Sequence, residues 1–251
     1  MKRLLFILIF INIISIAEGK DIKLSCDARY WYPFVYTEGA LIKGMHIDIV
    51  TKALKNLGYN AHINALPRKR SILSAESGDV DGIISITYHP NHAKSLEYPE
   101  GANVDKESKF RIMQVDLMII SHIDNNYEFE GDIKSIPAPI RITRGETIAD
   151  DLKNQGLEVE ETTSDEQNFS KLIRDKKGTV ITTSVIAESM NKDKRFTSKF
   201  KISSTPLISQ SYYLAFSVKT KLSSSGKKNI WEEISRLRDD YVYMLQVFAQ
   251  Y

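Results

Sequence analysis

The sequence has 251 residues with 34 basic and 32 acidic side chains, for a formal net charge of +2. A balance this even gives no electrostatic footprint for nucleic acid, which would show as a basic stripe or cluster, so we predict no nucleic-acid partner. The single cysteine, Cys26, excludes an internal disulfide and is predicted to be a small buried side chain on a strand. A chain of this length forms one large domain or two small lobes, and we expect a monomer.

The first nineteen residues have the pattern of a secretory signal peptide. Residues 1–3 carry positive charge, residues 4–16 are largely apolar, and Ala17 and Gly19 supply small side chains at the −3 and −1 positions before Lys20. The apolar run is shorter than the ~18–20 residues that a membrane span needs. We therefore predict cleavage after Gly19 and export to the periplasm.

Strand and helix patterns alternate through the first half of the remaining chain. Residues 22–26 predict a strand. Residues 45–57 predict a helix, because apolar side chains from Ile47 to Leu54 recur at helical spacing and Gly58 is a common helix stop. A strand at 60–65, a helix at 68–77 and a strand at 80–85 follow. This alternation predicts a mostly parallel sheet with helices on both faces.

A second alternating series begins at residue 115. Ser164 and Gln167 have the spacing of a capping box, which predicts a helix from there to residue 175. The other predicted elements are strands at 115–121, 140–143, 157–161, 180–183 and 212–218, and helices at 148–154 and 184–190. A long helical region closes the chain, with a stripe predicted to be buried at Ile230, Ile234, Leu237 and Tyr241. Two series in tandem predict two lobes.

Several short motifs fall in a fixed order along the chain. They are Trp31–Tyr36 followed by Gly44 and Asp48, Leu57-Gly58, Pro67 with Arg70, Gly78–Gly82, Tyr98-Pro99, Arg144–Thr147 and Tyr213–Lys219. Together they resemble bacterial extracellular solute-binding proteins of family 3 over essentially the whole chain after residue 19.

This resemblance implies the periplasmic-binding-protein fold, an α/β fold of two lobes joined by two crossover segments with a ligand cleft between them. Lobe one would comprise 20–108 and 212–251, and lobe two 109–211. In such folds the ligand lies at the carboxyl ends of the strands and at the domain interface.

The resemblance also implies a set of ligand-binding residues. Trp31 would cover the ligand, although it could instead pack under its loop against Phe34. Ser85 and Thr87 would hold a polar group at the end of a strand. The remaining implied contacts are Gly145 and Thr147 at the head of a lobe-two helix, Glu146 between them, and Arg70 or Arg68, whose guanidinium groups suit an anion. For Glu146 and the arginines, a solvent-facing role is the alternative.

Two positions depart from the amino-acid-binding members of that family. His92 stands where those members have an arginine for the ligand's carboxylate, and Thr183 stands where they have an acid for its ammonium group. A neutral histidine and a threonine bring no charge to either end of an amino acid. We therefore predict a ligand other than a standard free amino acid, such as a polyol, an organic acid or a modified peptide fragment.

The function implied by the resemblance is the capture of a small polar solute for the membrane permease of an ABC transporter. Two alternatives remain open. One is a periplasmic sensor that reports its ligand to a membrane receptor. The other is a cleft enzyme resembling cyclohexadienyl dehydratase, with Glu146, His89 and His92 as acid–base candidates. No motif fixes a catalytic pair or a metal-ligand set, so we predict no enzyme activity, no cofactor and no metal.

Overall fold

A computed structural model describes residues 20–144 and 146–251, with the backbone alone of Thr147. The predicted signal peptide and the predicted ligand residue Gly145 lie outside the described residues. Among the described residues, no helix is long and apolar enough to cross a membrane.

The described elements follow the predicted order closely. The strands are β1 (Lys20–Asp27), β2 (Tyr36–Glu38), β3 (Leu41–Lys43), β4 (Tyr59–Leu66), β5 (Gly82–Ile86), β6 (Leu96–Glu97), β7 (Met113–His122), β8 (Ile140–Thr143), β9 (Val159–Thr162), β10 (Thr179–Thr183), β11 (Phe200–Ile202) and β12 (Ile208–Ser217). The helices are α1 (Met45–Asn56), α2 (Arg68–Ser77), α3 (Thr147–Asn154), α4 (Asp165–Asp175), α5 (Ser184–Lys192), α6 (Ser224–Asp239) and α7 (Tyr241–Phe248).

A ten-stranded sheet runs through the molecule in the order β4-β1-β5-β12-β7-β10-β8-β9, with β6 and β11 at its sides. Its centre is the long strand β12, whose residues 208–212 pair with β7 and whose residues 213–216 pair with β5. We call the part built on β4-β1-β5 the first lobe and the part built on β7-β10-β8-β9 the second lobe. Strand β12 therefore passes from one lobe into the other.

The prediction of a mostly parallel sheet is wrong for the centre of the molecule. The β1–β4, β1–β5, β8–β9 and β8–β10 pairs are parallel. Strand β12, however, runs antiparallel to both β5 and β7, and β7 runs antiparallel to β10. The sheet is mixed because β12 returns from the second lobe against the direction of the strands that it joins.

Each lobe has its own hydrophobic core. In the first lobe, Leu24 on β1, Leu54 on α1 and Ile234 on α6 belong to one buried cluster. In the second lobe, buried clusters cover both faces of the sheet, one containing Ile140 and the other containing Phe169. The three clusters share no residue, although the first-lobe cluster also includes Met113 and Val115 on β7. The fold class predicted from the order of elements, a two-lobed α/β architecture, is confirmed.

Two details of the core bear on the sequence predictions. Cys26 is fully buried on β1, as predicted, and burial raises the pKa of its thiol to about 12. The predicted stripe of the long helical region is buried at Ile230, Ile234 and Leu237, but Tyr241 is 74% exposed. The stripe prediction is wrong there because the helix ends before Asp240, whose carboxylate caps a new helix that begins at Tyr241.

Candidate functional site

Two neighbouring cavities lie between the lobes. The larger has a volume of about 310 Å³ and the smaller about 110 Å³. Side chains from both lobes line each of them, and Trp31 and Glu146 line both. We call the two cavities together the cleft. It is formed where the carboxyl ends of the parallel strands β1, β5, β8 and β10 meet, the usual ligand position in open α/β folds.

Six of the candidate site side chains named in the sequence analysis line the cleft, and Glu146 and Arg68 are two of them. Ser85 and Thr87, at the end of β5, line the smaller cavity. Thr183, at the end of β10, lines the larger cavity, and Trp31 lines both. The backbone of Thr147 begins helix α3, as predicted.

Arg70 and His92 are not among the described residues that line the cleft. Arg70 is exposed on α2. The Nδ1 atom of His92 lies 2.9 Å from the Oε1 atom of Glu76, also on α2. The neighbouring Arg68, at the head of α2, does line the smaller cavity. Of the two candidate arginines, Arg68 therefore lines the cleft and Arg70 does not. His92 pairs with Glu76 outside the cleft.

Trp31 both packs within its loop and faces the cleft. Its ring centroid lies 4.6 Å from that of Phe34 and 5.0 Å from that of Tyr212 on β12. The loop that carries it is tied by reciprocal hydrogen bonds between the backbones of Trp31 and Val35. Because the ring is held by these neighbours, it forms a fixed aromatic wall between the two cavities.

Ser85 is held in place by a buried histidine. Its backbone has a φ of 67°, a left-handed conformation that costs a serine energy and that clusters at ligand sites. Its hydroxyl shares a 2.7 Å hydrogen bond with Nδ1 of His46 on α1. Complete burial lowers the pKa of His46 to about 3, so the imidazole is neutral. Nearby, Tyr98 donates to the carbonyl of Thr87, which fixes the end of β5.

The larger cavity is mainly apolar and has acidic groups in its lining. Its lining includes Leu117, Ile142, Ile148, Ile181, Val185, Ile186 and Met190, and its charged groups are Glu146, Asp165 and Glu166. Burial raises the pKa of Asp165, although hydrogen bonds from Thr182 and Thr143 oppose the rise. Burial also raises the pKa of Glu146; Arg29 and Arg68 oppose this rise, and Asp165 and Asp27 add to it.

The smaller cavity is polar and of mixed charge. Arg29 and Arg68 face Asp27, with the Nε atom of Arg29 and the Nη1 atom of Arg68 each 3.8 Å from its Oδ2 atom. Gln210 and Tyr212, on β12, complete the wall. Burial raises the pKa of Tyr212 to about 12, so its hydroxyl stays protonated and can donate.

The sequence predictions missed Asp27, Arg29, Asp165 and Tyr212. Asp27 and Arg29 follow strand β1 directly, so the rule that ligands lie at the carboxyl ends of strands could have identified them. Asp165 had no such signal, since it is the first residue of α4 and reaches the cavity beside Thr182 only through tertiary packing. An acidic side chain thus reaches the larger cavity from helix α4 and not from the end of β10.

Thr183 has a structural role of its own. It is buried, and its Oγ1 atom accepts a hydrogen bond of 3.4 Å from the backbone N–H of Ile186. That bond caps helix α5, whose side chains form one wall of the larger cavity.

Solved structures similar to this chain span nearly its whole length. One is an L-cystine solute receptor of Neisseria gonorrhoeae in an unliganded open conformation, at 12% identity and a TM-score of 0.65, covering 92% of both chains. Another is a histidine kinase sensor domain with similarity to periplasmic binding proteins, at 13% identity and a TM-score of 0.63, covering 93% of this chain and 96% of that one.

A third is the second substrate-binding domain of a putative amino acid ABC transporter from Streptococcus pneumoniae, at 12% identity and a TM-score of 0.61, covering 92% of this chain and 99% of that one. The chain has the periplasmic-binding-protein fold. Comparison with models of known protein families gives no match, and neither does comparison with curated proteins. Identities this low show a shared fold and no more than that.

Proposed function

We propose that this protein is an exported solute-binding protein that captures a small molecule in the cleft and delivers it to the membrane permease of an ABC transporter. The observation that carries the proposal is the cleft itself, in which side chains of both lobes face a cavity of about 310 Å³. That volume lies at the lower end of the range for small-molecule sites, roughly 300–1,000 Å³. The similarity to a cystine receptor and to a transporter's substrate-binding domain supports the same class of function.

The proposal includes the lobe boundaries, with lobe one at 20–108 and 212–251 and lobe two at 109–211. Strand β12 supports the second boundary, because its partner changes from β7 at Tyr212 to β5 at Tyr213. Closure of two rigid lobes about such crossover segments would bury the solute and present a closed shape to the permease.

The proposed ligand is not a standard free amino acid. The imidazole of His92 is paired with Glu76 outside the cleft, and Thr183 is engaged in capping α5. Neither residue supplies the charge that a zwitterion would need at its two ends. The charged groups that do line the cleft come from other positions, which supports a ligand of different chemistry.

A thermal-shift screen of the chain from Lys20 onward against a metabolite library tests this function. A ligand at about one hundred times its dissociation constant adds about 2.7 kcal/mol to the free energy of unfolding. For a chain of this size the melting temperature should rise by about 5–10 °C. Trp31→Ala should abolish the rise, because it removes the wall shared by both cavities.

Tyr241→Ala is the matched control, since Tyr241 is an exposed aromatic residue that does not line the cleft. A ligand that stabilises wild type and the Trp31→Ala variant equally would bind outside the cleft and would contradict the proposal. Amino acids are included in the library, and a robust shift with any of them at millimolar concentration or below would contradict the ligand assignment alone.

A periplasmic sensor is the second candidate function, favoured by the similarity to a histidine kinase sensor domain. The genes beside the coding sequence discriminate between the two. An adjacent permease gene supports transport, whereas an adjacent kinase or receptor gene supports sensing.

A further inference from the structure

The charged groups of the larger cavity are all acidic. Among the described residues, Glu146, Asp165 and Glu166 line it, and no lysine, arginine or histidine does. Glu166 is paired with Arg195 at the surface. Asp165 receives hydrogen bonds from the neutral hydroxyl groups of Thr182 and Thr143 and from its own backbone N–H, and among the described residues no cationic side chain lines this cavity beside it.

The same cavity also has an aromatic wall. Tyr30, Trp31 and Tyr32 line it in succession, joined by Tyr251. The rings of Tyr30 and Tyr32 are nearly parallel with centroids 6.4 Å apart, and Tyr32 meets Tyr251 edge-on at 6.2 Å. Aromatic faces attract organic cations, and ammonium groups are commonly bound where such faces and carboxylates meet. The rest of the wall is aliphatic, which suits an apolar body.

The arginines of the cleft are separated from this cavity. Arg29 and Arg68 line the smaller cavity, where both face Asp27 and where Glu146 stands between the two cavities. An anionic group in the larger cavity would meet carboxylates without a basic side chain. When the lobes close, the carboxylates of this cavity lose water. A cationic group beside them would offset that loss with an opposite charge.

We infer that the larger cavity binds an organic cation, an amine or quaternary ammonium group attached to a bulky apolar body. The inference rests on the proposed function and names the ligand class for the same cleft. The ammonium group would lie between Asp165, Glu146 and the tyrosine rings, and the apolar body would lie against α5, the middle of β7 and the ends of β8 and β10.

Probes that share one aromatic body and differ in charge test this assignment by calorimetry at pH 7.5 and low salt. The probes are 2-phenylethylamine and benzyltrimethylammonium as cations, 2-phenylethanol as neutral, 3-phenylpropionate as anion and L-phenylalanine as zwitterion. Spermidine is the cation without an apolar body. At least one of the two aromatic cations should bind tenfold or more tightly than the alcohol, the anion, the zwitterion and spermidine.

Substitutions then locate the charge. Asp165→Asn should weaken binding of the aromatic cation at least tenfold, because it keeps the shape of the side chain and removes its charge. Asp150→Asn is the matched control, an exposed carboxylate of the second lobe that does not line the cavity, and it should change affinity less than twofold. Glu146→Gln provides a second test if Asp165→Asn does not fold.

The outcomes separate this inference from the proposed function. If the anion, the zwitterion or the alcohol binds more tightly than both aromatic cations and Trp31→Ala abolishes that binding, the cation assignment is wrong and the proposed function stands. Unchanged cation affinity in both Asp165→Asn and Glu146→Gln also overturns the assignment. If neither the probes nor the metabolite library binds in the cleft, the inference and the proposed function both fail.

Discussion

Among single residues, His46 links the core to the cleft. Its imidazole lies among the rings of Trp31, Phe34 and Tyr212, and its Nδ1 atom shares a hydrogen bond with Ser85. Its Nε2 atom is buried without a hydrogen-bond partner among the described residues. A neutral imidazole in this position holds the Ser85 hydroxyl at the cleft without placing a charge beside the ligand.

This burial predicts a pH dependence of stability. The pKa of His46 falls from 6.5 to about 3 on folding, so between these values the unfolded chain binds a proton that the folded chain does not. The free energy of unfolding therefore decreases as the pH falls below 6.5, by about 1.4 kcal/mol per pH unit from this group.

Urea unfolding between pH 4.5 and 6.5 checks this value. His46→Phe should reduce the slope of stability against pH by that amount, whereas His89→Phe, at an exposed histidine, should retain the wild-type slope. Parallel curves for wild type and His46→Phe would show that His46 is not buried in its neutral form.

The candidate site was predictable where motif and strand end coincide, as at Trp31, Ser85 and Thr87. The site was not predictable where its residues lie on a helix, because the direction of each side chain then depends on how the helix is oriented in the fold. Successive helical residues are rotated by roughly 100°, so Arg70 lies roughly 200° around α2 from Arg68, on the side away from the smaller cavity. A sequence motif alone does not fix which of the two arginines faces the cleft.

Among the elements, those with strong periodicity or a stop signal were predicted most closely. Helix α2 and strand β8 have the predicted limits, at residues 68–77 and 140–143. The hairpin of β2 and β3 was missed because its strands have three residues each, too few to show alternation. The break before α7 was missed because the apolar spacing continues through Asp240, while the backbone turns there.

The cap of helix α4 differs in one bond from the predicted capping box. Ser164 accepts from the backbone N–H of Gln167 as predicted, at 3.2 Å. The side chain of Gln167 accepts from the N–H of Thr163 rather than from that of Ser164. Because Asp165 is the first residue of this helix, the cap also sets the position of an acid in the larger cavity.

Ser164→Ala should therefore reduce both stability and binding. Loss of the cap costs about 1 kcal/mol, which lowers the melting temperature by about 2–4 °C in a chain of this size. Ser170→Ala, at an exposed position in the same helix, should be neutral or slightly stabilising because alanine is the better helix former. If both variants melt at the wild-type temperature, the Ser164 side chain does not cap the helix in solution.

On the scale of the whole molecule, the two alternating series of strands and helices predicted two lobes. Sequence periodicity did not reveal that β12 pairs antiparallel with both β5 and β7 at the centre of the sheet. The direction of β12 depends on the path by which the chain returns from the second lobe, which is a property of the whole topology. The molecule consequently combines two separate cores with one continuous sheet. A core within each lobe favours independent unfolding of that lobe, whereas the shared strand β12 couples the unfolding of one lobe to that of the other.

A matched pair of core substitutions distinguishes these two tendencies. Phe169, on α4, is fully buried in the second lobe against Phe200, with ring centroids 4.8 Å apart. Phe216, on β12, is fully buried in the first lobe against Trp231, with centroids 5.3 Å apart. Replacing either by alanine should cost about 3–5 kcal/mol of stability, since each leaves a large cavity.

Native-state hydrogen exchange should show where that cost falls. In Phe169→Ala, the amides of β8, β10 and α4 should lose protection while those of β1, β4 and α1 keep more of theirs, because their core is untouched. In Phe216→Ala, the amides of the first lobe should lose protection instead. Within β12, residues 208–212, which pair with β7, should lose less protection than residues 213–216, which pair with β5. A ligand that spans the cleft should restore protection in both lobes, since it binds only the assembled pair. An equal loss of amide protection in both lobes for both variants would mean that the shared strand makes the molecule a single cooperative unit. Closure of the lobes would then involve bending of β12, and neither lobe would unfold separately.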